Sequence, residues 1–343
     1  MLAFYLVVCW TSAMAEFMQV RQHKHYGARR EINKCKELLR FESESIDFLA
    51  AEFLNETDTR GGGLSPRKQM EVFLRFVADP GFQSGIAEDV GVHRTTACKT
   101  VSYVMDKIID RANFWIHFPA TVEEINEAKI QWQRNFRLPT VIGALDCTHV
   151  QIKKPNLHGD EYVNRKGCIT INVQGTCDAL ERFTSISAEW PGSVHDARIW
   201  RRSPVREIMS RFDGRVCLLG DSGYGISPWL ITPFKPPTNE AERRFNLCHS
   251  RERVVIERCF GQIKRRFPIL GNCVRVASEK VPKVVVCCAV LHNIAKYLGD
   301  VYDDNFEING DDEIEEIDVQ HENPGTTRRG ADKRREMMLF VNQ

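Results

Sequence analysis

The chain is short of several things, and each shortage removes a class of protein. Net charge is nearly absent: 47 Lys and Arg stand against 46 Asp and Glu, leaving +1 over 343 residues, which excludes a uniformly basic nucleic-acid coat. Paired cysteine motifs are missing too. The 12 cysteines are scattered, none forms a CxxC pair, and Cys287 and Cys288 fall inside an apolar helical run. Buried free thiols in a reducing compartment fit this usage better than a secreted disulfide framework. No self-similar period of solenoid length is present. Beyond the N-terminal residues, no uncharged run reaches the roughly 20 residues that span a bilayer. The N-terminal stretch LAFYLVVCWTSAMA ends in an AxA-like site and has the outline of a signal peptide, yet no basic residue precedes it. With the cysteine usage, this favours an atypical start over secretion, and no membrane partner is expected.

What is present is unevenly placed. An apolar content of 43% suffices for a sizeable core, and the length suits two modest domains. From Glu242 to Lys283 there are eleven Lys or Arg against four Glu, while Asp300 to Glu322 holds eleven acids and no Lys or Arg. The first block suits a phosphate-facing surface and the second a solvated, disordered tail.

Five segments are expected. Residues 1–62 form an N-terminal helical region, in which Ile46, Leu49, Phe53 and Leu54 recur at helical spacing. Residues 63–111 carry a helix-turn-helix-like unit. Ser65 and Pro66 read as N-cap and first helical residue, with Met70, Phe73 and Val77 on one face. A short helix from Ser84 to Val90 then meets a turn at Gly91. A longer helix starting near His93 stripes Ala97, Val101, Val104 and Ile108, while Arg94, Thr95 and Lys99 project from its leading end as candidate DNA contacts. An ordinary three-helix bundle fits the same pattern. Residues 112–130 read as a linker, 131–299 as an α/β domain on a mixed five-stranded sheet, and 300–343 as the acidic tail. The strands are TVIGALDCTHVQI, ITINVQGTCDA, FTSISAEWP, VCLLG and a weaker LITPF; helices follow over Ser250–Phe267 and Val281–Leu298, the latter apolar enough to be buried.

Three acids fall where different elements can bring them to one pocket. Asp146 lies in GALDCTHVQI, Asp221 follows VCLLG, and Glu257 sits mid-helix in HSRERVVIERCFGQIKRRF. Magnesium takes oxygen ligands and keeps several waters, so a few carboxylates plus substrate phosphate complete its shell. Two such ions roughly 4 Å apart activate an attacking water and stabilise a leaving 3′ oxygen. Arg253 and Lys264 share the helix face of Glu257 and could hold flanking phosphates. The bland alternative is that each acid merely ends a strand or solvates a helix. His149 and His195 neighbour candidate ligands but read as structural, and His292 as a satisfied core histidine.

The blocks ALDCTHV, WPGSVHDARIW, LLGDSGYG, HSRERVVIERCFGQIKRRF and AVLHNIAKYL, in this order across residues 131–299, resemble the signature blocks of Harbinger transposases of the DDE superfamily. The upstream DTRGGGLSPRKQMEVFLRFVADPGFQSGIAEDVGVHRTT resembles the animal nucleases domesticated from that family. The resemblance implies a ribonuclease-H-like fold and metal-dependent cleavage of double-stranded DNA. It also implies two Mg2+ or Mn2+ ions, with Asp146, Asp221 and Glu257 as the triad. Asp196 in GSVHDARIW matches as a fourth metal ligand, although an Asp at a helix start often only caps it. A Myb-like partner protein that assists DNA binding and nuclear import is implied as well, with residence in nucleus and cytoplasm. The basic TTRRGADKRRE near the end is a weak nuclear signal or a solvated tail. A DNA-associated protein that keeps the fold without turnover is the alternative.

Overall fold

The computed structural model describes residues 35–54, 63–79, 81, 83–302 and 327–343. The apolar N-terminal stretch and the acidic residues 303–322 lie outside the described residues.

The centre is one five-stranded sheet: β1 (Val141–Gln151), β2 (Thr170–Cys177), β3 (Phe183–Pro191), β4 (Cys217–Leu219) and β5 (Leu230–Ile231), in the order β3-β2-β1-β4-β5. The first three strands pair antiparallel, and β1–β4 and β4–β5 pair parallel. Strand β2 is buried along its whole length, as a central strand covered on both faces must be. The mixed α/β architecture with five strands agrees with the expectation from sequence.

Helices cover both faces. On one side Ile142, Leu145 and Leu218 pack against Trp200, Val205 and Met209. These come from α8 (Asp196–Arg202) and α9 (Pro204–Arg211), numbered in chain order from α1 (Cys35–Leu39). On the other side lie the 27-residue α10 (Glu240–Arg266), the short α11 (Pro268–Gly271) and α12 (Val281–Leu298). Helix α12 is long and apolar enough to cross a membrane, but here it is packed in the core. Helix α10 begins ten residues before the expected Ser250. Asn239 caps it by accepting from Glu242 N–H at 2.9 Å, and its first turns are too exposed to carry an apolar stripe.

The N-terminal helices dock on this second layer. Ser65 caps α3 (Pro66–Ala78) by accepting from Lys68 N–H, with Pro66 in the first turn, and Met70, Phe73 and Val77 are buried as their spacing requires. Helix α2 (Ser43–Phe53) packs against α3. After α4 (Gln83–Val90), Gly91 takes a left-handed turn with φ 69°, and α5 (Arg94–Asp110) buries Ala97, Val101, Val104 and Ile108. Helix α5 rests on α12, and Lys283 pairs with Asp106 at 2.7 Å across that contact. One continuous core therefore runs from these helices to the sheet.

Two expectations need correction. Residues 112–130, expected as a linker, hold α6 (Ala112–Trp115) and residues 122–130 of the 14-residue α7 (Val122–Asn135), opened by a Thr121–Glu124 capping box. Nor is 300–343 wholly a solvated tail. Asp300 is buried and accepts from Glu42 N–H, and residues 328–341 form α13 (Arg328–Val341), which packs on α10. The basic TTRRGADKRRE is largely the start of this docked helix.

Candidate active site

Asp146 sits mid-β1, on the face covered by α10. Strand β4 runs parallel beside β1 with Ala144 opposite Leu219, so extending that register by two residues sets Asp221 level with Asp146. Glu257 comes down from α10, one turn after Arg253. The three acids are therefore delivered by a strand, a strand end and a helix, on adjacent rigid elements.

Arg253 joins them. Its Nη1 donates to Asp146 Oδ2 at 3.1 Å, and its Nη2 forms an ion pair with Glu257 Oε1 at 2.6 Å. Asp146 Oδ1 accepts its second bond from Cys147 N–H at 2.8 Å. Burial pushes the Asp146 carboxyl up to about 7, against the pull of Arg253 and with the Asp221 and Glu257 charges adding to the rise. Burial also raises Asp221, opposed by Arg253 and reinforced by Asp196. Gly223 N–H donates to Asp221 Oδ1 at 3.0 Å and fixes that carboxylate at the strand end. Lys264 lies further along α10, where its Nζ donates to Thr148 Oγ1 at 2.6 Å and to the His149 carbonyl; burial lowers its pKa. Both expected phosphate-binding cations thus have protein partners along β1.

Asp196 is reached from the other side of the sheet. It opens α8, and its Oδ1 accepts from Asn172 Nδ2 at 2.7 Å, while the same amide donates to the Val194 carbonyl. Asn172 stands opposite His149 in the β1–β2 register, so it shares a face with Cys147 rather than with Asp146. The structure brings Asp146, Asp221 and Glu257 around one guanidinium and leaves Asp196 at their edge. Among the described residues, no three Asp, Glu, His or Cys side chains converge on one point closely enough to enclose an ion by themselves.

The donor set nevertheless suits a hard divalent cation. It consists of carboxylate oxygens whose mutual repulsion and burial are only partly offset by one arginine. Asn172 Oδ1, buried beside Asp196, has no hydrogen-bond partner among the described residues. Behind the cluster, the Tyr224 hydroxyl donates to Cys147 Sγ at 3.2 Å and Gln174 Nε2 approaches it at 3.7 Å. Burial raises the Cys147 thiol well above its usual range, which leaves no thiolate nucleophile there.

Arg94, Thr95 and Lys99 are exposed at the start of α5, where His93 Nδ1 accepts from Thr95 N–H. Among the described residues, no hydrogen bond or ion pair links them to the carboxylates. His149 Nδ1 meets Thr170 Oγ1 at 3.0 Å, and His195 precedes α8 without capping it. His292 is a satisfied core histidine, its Nε2 donating to the Glu181 carbonyl at 2.7 Å.

Comparison with known proteins decides the family. Residues 145–293 match the DDE superfamily endonuclease family, a span that holds all four acids. The proteins named "Putative nuclease HARBI1" from Bos taurus and Homo sapiens are each 32% identical to this chain over 257 residues, covering 73% of it and 72% of the relative. "Protein ALP1-like" from Arabidopsis thaliana is 24% identical over 295 residues, covering 78% of this chain and 72% of the relative. The chain belongs to the Harbinger-derived nucleases of the DDE superfamily. No solved structure matches it. DDE superfamily endonucleases generally use divalent metals, in keeping with the oxygen-only donor set.

For this Harbinger-derived nuclease, sequence reasoning missed two features of the site. Arg253 was expected to face phosphate but bridges two carboxylates, and Asn172 was not singled out. The available signal for Asn172 was the run of polar residues Asn172, Gln174 and Thr176 within a strand otherwise read as core. For Arg253 the signal was its four-residue spacing to Glu257 on one helix face, which suits an ion pair as well as a phosphate contact.

Proposed function

We propose that this protein is a metal-dependent endonuclease that hydrolyses phosphodiester bonds of double-stranded DNA. Asp146, Asp221 and Glu257 form its catalytic triad, and Asp196 is an additional metal ligand. The observation that carries this reading is the approach of carboxylates from β1, the end of β4 and α10, close enough that the Asp221 and Glu257 charges add to the rise that burial imposes on Asp146. Two bound Mg2+ or Mn2+ ions would supply an activated water and charge stabilisation at the leaving oxygen. The chain's own residues bind and orient. Asp146 and Asp221 present short carboxylates from the sheet, Glu257 reaches across from its helix, and Lys264 places a cation beside Thr148 for a neighbouring phosphate.

The strand order, with three antiparallel strands followed by two parallel ones, supports a ribonuclease-H-like fold for this half. The α4–Gly91–α5 arrangement supports a helix-turn-helix role in DNA binding for Arg94, Thr95 and Lys99. A Myb-like partner and a nuclear as well as cytoplasmic location complete the reading, since the near-neutral helical region suits outside help in holding DNA.

A supercoiled-plasmid nicking assay in Mg2+, Mn2+ or EDTA, comparing the natural protein with Glu257→Gln, tests the proposal. Cleavage that needs the metal and disappears in the variant is expected. Equal cleavage by both proteins would sink the triad. Tight DNA binding without cleavage under any metal would instead identify a DNA-associated protein that has lost turnover.

A further inference from the structure

One arginine takes two of the oxygens that a cation would need. Arg253 donates to Asp146 Oδ2 through one terminal nitrogen and pairs its charge with Glu257 Oε1 through the other, and its side chain is only 18% exposed, as is that of Asp146. Asp146 Oδ2 has a lone pair committed to the guanidinium, and the Glu257 charge is balanced by it. A divalent cation drawing on the same oxygens would also set like charges side by side in a half-buried site. Lys264 presents no such conflict, because its partners are a hydroxyl and a carbonyl rather than carboxylates.

We propose that Arg253 is an exchangeable counter-ion. A divalent cation that takes Asp146 and Glu257 displaces the guanidinium, which then becomes available to a phosphate of the bound DNA. Arg253 sits one helical turn from Glu257, so a modest rotation of its side chain moves the charge from the carboxylates toward the substrate side. Cation binding and DNA binding then reinforce each other, and by linkage the reinforcement is reciprocal. This inference rests on the metal-site reading given above and adds a coupling that the reading does not require.

The test measures binding rather than turnover. Mn2+ affinity is read from the loss of the free-ion electron paramagnetic resonance signal, and DNA affinity from fluorescence anisotropy of a labelled duplex in Ca2+ against EDTA. Arg253→Gln is expected to bind Mn2+ about tenfold more tightly, as removal of one charge-assisted competitor implies. The natural protein is expected to gain DNA affinity when Ca2+ is added, and Arg253→Gln to lose that gain. Arg253→Lys, whose compact charge reaches one carboxylate well, should fall between them and carries the test if circular dichroism shows the glutamine variant unfolded. Unchanged or weaker Mn2+ binding in a folded variant overturns the exchange and makes Arg253 a fixed positioning residue. Absence of Mn2+ binding by the natural protein overturns the metal-site reading instead.

Discussion

Glu252 accepts a hydrogen bond from Trp132 Nε1 at 2.9 Å inside the core, and this contact fastens α7 to α10. The same carboxylate accepts from the N–H groups of Arg137 and Leu138 at 2.8 and 2.9 Å, at the approach to β1. Glu252 therefore sets where α10 stands relative to the strand that carries Asp146, five residues before Glu257 presents its own carboxylate. Glu252→Ala would leave three N–H donors and the Cys248 thiol without this acceptor, the Trp132 and Leu138 groups among them buried. A loss on the order of 3 kcal/mol is expected in urea unfolding. A loss below about 0.5 kcal/mol would show that α10 is held by apolar packing alone.

His292 makes stability sensitive to acid. Burial lowers its pKa to about 4, well below the ordinary 6.5, and its Nε2–H is committed to the Glu181 carbonyl. A depressed folded-state value means that the unfolded chain binds more protons between pH 6.5 and 4, so this contribution is present above 6.5 and is lost as pH falls toward 4. Asp146 acts with the opposite sign over much of that window, because its folded value is raised to about 7. The comparison of His292→Gln with the natural protein cancels the Asp146 contribution. The variant should be less stable at pH 7, through lost packing on Phe183, and the gap should narrow or reverse at pH 4.5. A constant gap across the range would mean that His292 takes up its proton at the same pH in the folded and unfolded states, so that burial does not lower its pKa.

Legibility followed burial pattern. Val101, Val104 and Ile108 on α5 were readable because a half-buried helix repeats its apolar residues every turn, and α12 was readable because nearly every position is apolar. Helix α7 was not, since it buries only Ile125 and Trp132 over 14 residues and leaves almost no stripe. Its Thr121–Glu124 capping box was the one local sign. Helix α13 was hidden for a different reason: of its residues only Gly330 and Met337 are buried, and much of its docking is a guanidinium on a ring and bonds to backbone carbonyls, which hydrophobic periodicity does not detect. The acids of the candidate site were visible as residues, but their faces were not. A strand's sidedness follows from its register, so Asp146 under α10 and Asp196 beyond Asn172 emerged only once β1 and β2 were paired.

The docking of α13 depends on Gly330. A Cβ there would come within 2.7–2.9 Å of the Ser227 backbone, which has little freedom to yield. Arg334 completes the contact, stacking 3.9 Å above the Phe234 ring centroid and donating to the carbonyls of Thr232 and Pro233. Gly330→Ala should cost about 1–3 kcal/mol and expose the helix to limited proteolysis near its start. Retention of full protease resistance would show that the helix tolerates a shift away from Ser227.

Gly175 is the cross-strand partner of Asp146, and its missing side chain lets α10 approach the sheet. A Cβ at this position would meet Phe260 Cζ at 2.9 Å and Phe183 Cε1 at 3.3 Å, and those two rings already pack with centroids 5.5 Å apart. Phe260 lies three residues after Glu257, so a displacement of its ring that its side chain cannot absorb tilts the helix that carries the third carboxylate. Gly175→Ala should cost about 1–3 kcal/mol through overpacking. It should also lower metal-dependent cleavage at least tenfold, because catalytic groups tolerate little misplacement. The two readouts separate causes. A stability loss with normal cleavage at low temperature would mean that Phe260 moves alone, whereas lost cleavage in a still-folded variant would mean that Glu257 moves with it.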